Sequence, residues 1–91
     1  MKTTAQENMN FYGAEIERLN IEIESLALLY ENRSERLDNM NDSDPARGET
    51  QAEMSRIAAT ARLREAQMKA ARDLYDQWFT EVQRTSPQWP D

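Results

Sequence analysis

The chain has no cysteine and no histidine among its 91 residues, and only two glycines and three prolines. Without cysteine there is no disulfide framework and no thiolate metal site. Without histidine the usual general base and the commonest metal ligand are missing. Nucleophile–base pairs built on either residue are excluded, and the serines and threonines have no base to activate them. The two glycines, Gly13 and Gly48, stand far apart, so there is no glycine-rich phosphate loop. A metal would have to be held by carboxylates alone. Glu15, Glu22 and Glu24 lie close together in sequence, but a di-metal carboxylate bundle adds a Glu-x-x-His on its facing helices, which this chain lacks. The expectation is a non-enzyme with no catalytic residue, no metal and no cofactor. No apolar run reaches the length of a membrane span, and Met1 to Glu7 has no apolar signal-peptide core. The expected location is the cytoplasm, with no membrane partner.

What is present favours helix, being rich in Ala, Glu, Leu, Arg and Gln and poor in turn residues. The expected fold class is all-α, as one domain over residues 1–91. Thr4-x-x-Glu7 fits a capping box and predicts a first helix over about residues 4–41. In it Met9, Ile16, Ile23, Tyr30 and Leu37 repeat at one heptad position, and Tyr12, Leu19, Leu26 and Met40 at the other, with Arg33 as the exception. Residues 42–48 read as a loop. Two helix starts compete after it, Asp44-Pro45 and a second capping box at Thr50-x-x-Glu53. The reading adopted is a first turn near Pro45 and a secure helix over about 49–85. Its apolar positions are Met54, Ile57, Ala61, Met68, Ala71, Tyr75, Trp78 and Val82, with Arg64 as the exception. Residues 86–91 read as an extended tail.

A short loop between long helices predicts an antiparallel, coiled-coil-like hairpin. The expected register sets Leu26 on Met68, Ile23 on Ala71, Leu19 on Tyr75, Ile16 on Trp78 and Tyr12 on Val82. It also sets Tyr30 level with Arg64, Arg33 level with Ala61, and Gly13 near Phe79, where a missing side chain makes room for the ring. The two seam arginines form a small polar break, in reach of Glu residues at the seam's edge.

Charge is segregated along the chain. Residues 7–44 carry ten acidic groups against Arg18, Arg33 and Arg36. Residues 56–72 carry Arg56, Arg62, Arg64, Lys69 and Arg72 against Glu65. Segments of opposite sign are expected to lie beside each other or beside copies of each other. The formal net charge of -6 argues against direct nucleic-acid binding.

A hairpin buries one stripe per helix, yet each helix carries a second apolar row: Ala14, Ile21 and Leu28 on the first, and Ala59, Leu63, Ala66, Ala70 and Leu74 on the second. These eight residues are the expected partner or dimer interface, and a homodimer forming a four-helix bundle is the simplest way to cover them. Phe79 and Trp89 are candidate docking aromatics, with Trp89 also able to cap the open end of the hairpin. The function expected is a protein–protein interaction module: a small chaperone, adaptor or assembly subunit. The alternative is a small acidic inhibitor that blocks a basic groove on a target protein, whether or not that groove serves nucleic acid. A helical hairpin of this size resembles small secretion chaperones and the secreted WXG hairpin proteins in fold alone, since the turn from Asp42 to Gly48 contains no Trp-x-Gly.

Overall fold

The Thr4 hydroxyl accepts a hydrogen bond from the Glu7 backbone N–H at 3.1 Å, satisfying one of the free donors of a helix start. This opens α1 (Ala5–Asp38). The computed structural model describes residues 4–85, and in them α1 is followed by α2 (Ala46–Thr85), packed alongside it. The described residues contain no strand.

The turn lies earlier than expected at both of its ends. Asp38, Asn39, Asn41, Asp42, Ser43 and Asp44 have side chains that compete for backbone hydrogen bonds, which ends a helix without a glycine. No described residue has a positive φ, and α1 closes instead by tightening, with the Met40 N–H donating to the Leu37 carbonyl at 3.1 Å. The Asp44 carboxylate accepts from the Ala46 N–H at 2.9 Å and caps α2. The Thr50 hydroxyl, expected to compete for that role, is buried and donates to the Ala46 carbonyl at 3.0 Å. Arg47, in the first turn of α2, donates to the Leu37 and Met40 carbonyls at 3.2 and 3.5 Å. A cation of the second helix thereby satisfies the free carbonyl end of the first.

Moving the turn moves the register. Arg33 meets Glu53 rather than Ala61, Arg64 meets Glu22 rather than Tyr30, and Leu26 lines a groove with Ala61 rather than sitting on Met68. A side chain built at Gly13 would lie 3.3 Å from the Tyr75 ring, so Tyr75, not Phe79, occupies the space that the glycine leaves. The slip is about seven residues of one helix past the other, roughly 10 Å at 1.5 Å per residue.

Few residues are enclosed. Only Leu19, Ala71 and Thr50 are buried among the described residues, and the molecule measures 72 × 29 × 16 Å. A thickness of 16 Å is a single layer of helices.

The register makes a direct prediction. Cysteines replacing Leu26 and Ala61 should crosslink within one chain, and cysteines replacing Leu26 and Met68 should not, as read by mass shift after mild oxidation. Gly13→Ala should raise thermal stability by up to about 1 kcal/mol, because the helix gains and the half-exposed edge of Tyr75 can yield. A loss would mean that Tyr75 is held rigidly against the glycine.

Candidate interaction surface

The two faces of the hairpin differ in chemistry. At roughly 100° per residue, Glu15, Arg18, Gln67 and Ala70 fall on one side of the line through Leu19 and Ala71, and Ala27, Ala58 and Ala61 on the other. The first side carries a charged network. The Arg18 guanidinium donates to Glu15 through Nε at 3.0 Å and Nη2 at 2.6 Å, and to Glu22 through Nη1 at 2.6 Å. Glu22 in turn pairs with Arg64 of α2 at 2.9 Å, and Arg64 donates to Gln67 at 2.9 Å. Phe11, Tyr12, Leu19, Ala70, Ala71 and Leu74 line the shallow depression around this network. Arg33 and Glu53, at 2.6 Å, make the other ion pair between the helices.

The Arg18 hydrogen bonds hold the Glu15 carboxyl below the ordinary carboxylate range, outweighing an opposing loss of hydration, and the arginine's charge adds a lesser pull in the same direction. Glu15 in return raises Arg18.

The opposite face carries a groove that is apolar at its centre. Ile23, Leu26, Ala27 and Tyr30 of α1 line a groove with Ile57, Ala58 and Ala61 of α2, edged by Arg62 and Glu65. Towards the turn it runs on past Tyr30 and Ala58 to Leu37 and Met54 and becomes more polar, with Gln51, Ser55 and Arg62 in its lining. None of the ion pairs among the described residues involves a residue of this groove. Most of its apolar residues belong to the seam expected from sequence, and the neighbouring helix covers them only in part; Tyr30 is 42% exposed.

The eight residues of the two outer rows do not form one surface. Ile21 and Leu28, 64% and 67% exposed, lie roughly 180–200° around α1 from Leu19, on the edge farthest from α2. Ala14 is exposed on the same outer side. The row on α2 borders the charged face instead: Ala59, Leu63, Ala66 and Ala70 are exposed and Leu74 is half-buried, each roughly 60–140° from Ala71. Phe79 is 43% exposed and stacks on Tyr75 with ring centroids 6.4 Å apart. Trp89 lies outside the described residues.

Sequence reasoning missed the groove face and two exposed apolar residues, Phe11 and Leu29. A signal for the groove was available. Ala27, Ala58 and Ala61 widen the seam stripe to one side on both helices, and a wide stripe needs more than one neighbouring helix.

Among the described residues, no cluster of acidic side chains is arranged to hold a metal ion. No helix is long and apolar enough to cross a membrane. In comparisons with known proteins, no protein family, curated protein or solved structure matches the chain.

The charged face gives a prediction in pH. A carboxyl whose value falls on folding contributes stability above the ordinary carboxylate range and loses it as pH falls through the lowered value. In Arg18→Gln the Glu15 midpoint, followed by side-chain NMR, should therefore move up towards the ordinary value. An unchanged midpoint would mean that the Glu15–Arg18 bridge does not persist in solution.

Proposed function

We propose that the chain is a non-enzymatic protein–protein interaction module, a small chaperone, adaptor or assembly subunit that works by covering the apolar surface of its hairpin against another helical surface. Its simplest form is a homodimer closed into a four-helix bundle. The observation that carries the reading is the mismatch between apolar content and enclosed volume. Phe11, Ile21, Leu28, Leu29, Tyr30, Leu63 and Phe79 all remain exposed. Only Leu19, Ala71 and Thr50 are buried among the described residues.

A second reading has its own support. Glu17, Glu24, Glu31, Glu35 and Asp38 project from α1 with no ion-pair partner among the described residues. Such a row suits an acidic inhibitor that occupies a basic groove on a target protein.

The two readings differ in their response to salt and concentration. For the module, sedimentation at micromolar concentration should detect an oligomer that persists in high salt, with a melting temperature that rises with protein concentration. A chain that is monomeric throughout, and whose binding to a basic partner weakens steeply with salt, would replace the first reading with the second.

A further inference from the structure

We propose that a second copy of this chain docks on the groove face, with α1 of each copy lying over α2 of the other, closing a four-helix bundle around Tyr30, Ala58 and Ala61. The inference rests on the interaction-module reading in its homodimer form and adds the face and the orientation.

The choice of face follows from what each would give up on leaving water. Covering the opposite face would strip hydration from Glu15, Arg18, Glu22 and Arg64, four charged groups linked at 2.6–2.9 Å. Charges taken out of water cost several kcal/mol each before any attraction is regained. The groove face holds none of these pairs. Its lining of Ile23, Leu26, Ala27, Tyr30, Ile57, Ala58 and Ala61 is apolar, and its charged residues, Arg62 and Glu65, stand at the edge. The face is also large enough. Along the 34 residues of α1, about 51 Å, and across two helix diameters, about 20 Å, it offers on the order of 1,000 Å², and a standard interface needs about 800 Å² from each partner.

The orientation follows from charge. Beside Ala27 and Leu28, the flank of α1 carries Glu24 and Glu31. The flank of α2 carries Arg62, Lys69 and Arg72, which have no ion-pair partner among the described residues. A two-fold axis across the helices would lay α1 on α1 and set acidic flank on acidic flank. A two-fold axis along the helices lays α1 on α2 and keeps every residue at its own height. Arg62 lines the groove level with Leu26 and Ala27. In the second arrangement it therefore meets the other copy between Glu24 and Glu31. The small side chains at Ala27, Ala58 and Ala61 let the two layers approach closely there.

Sedimentation equilibrium on the full chain and four variants tests this. Ala58→Glu should leave no dimer at concentrations where the wild type is fully dimeric. Ile21→Lys with Leu28→Lys, on the outer edge of α1, should leave the dimer unchanged. Arg62→Glu should weaken it on the order of tenfold, since the pair occurs twice and becomes repulsive. Adding Glu24→Arg and Glu31→Arg to Arg62→Glu in the same chain should restore it. None of these three charged residues makes an ion pair within its own hairpin, so the charge swaps stay informative even if Ala58→Glu fails to fold. Dissociation by the Ile21/Leu28 variant with no effect of Ala58→Glu or Arg62→Glu would overturn the groove while leaving the module reading in place. A wild type that stays monomeric at hundreds of micromolar would overturn self-association itself.

Discussion

Two helices side by side touch along a line, so a side chain between them is enclosed from two directions and open in the others. Leu19 and Ala71 sit on that line and are buried. Ile23, Leu26, Ile57 and Met68 sit beside it and are only half-covered. Full burial of such a side chain contributes about 1.5–3 kcal/mol, and partial cover yields a matching fraction. The hairpin therefore gains less from its apolar residues than their number offers. That unrealised burial is the thermodynamic reason for it to acquire another layer of helices.

The position of the turn decides which residues share that line. Arg47 ties the carbonyl end of α1 to the first turn of α2, while Asp44 fixes where α2 begins. Both bonds act within a few residues, yet they set contacts tens of ångströms away, because two stiff helices transmit any shift along their whole length. The match of Gly13 with Tyr75, far from the turn, belongs to the same register.

Much of the fold was legible in the sequence, because heptad spacing and two polar start signals are local. The two helices, their antiparallel packing and the identity of the half-buried apolar residues follow from them. The register did not follow, because the turn has no left-handed glycine to mark its place and Gly48, the nearest one, lies inside α2. The polar run from Asp38 to Asp44 allows several ends for α1, and only the hydrogen bonds of Asn39, Met40 and Arg47 choose among them. The candidate surface was read in part. Ile21, Leu28 and Leu63 are exposed as their spacing implies, but their arrangement on separate surfaces depends on which way each helix is rotated about its axis. The groove is not legible because heptad spacing assigns Ile23, Leu26, Tyr30, Ile57 and Ala61 to the seam and says nothing of how completely a single neighbouring helix covers them.

The charged seam residues then take on a second meaning. Arg33 and Arg64 interrupt an apolar stripe, which weakens the hairpin as a hydrophobic unit. Each finds a glutamate on the other helix, Glu53 and Glu22, at 2.6 and 2.9 Å. Exposed pairs of this kind contribute little to stability on their own. Their larger effect is on what can approach, since a layer of helices settling over the Glu22–Arg64 network must dehydrate it and one settling over Tyr30, Ala58 and Ala61 need not. Polar groups that cost stability within one chain thus set a linked charged network on one face and leave the centre of the other free of ion pairs. A difference of that kind between two sides of the same hairpin gives an otherwise two-sided layer a single preferred way to pair.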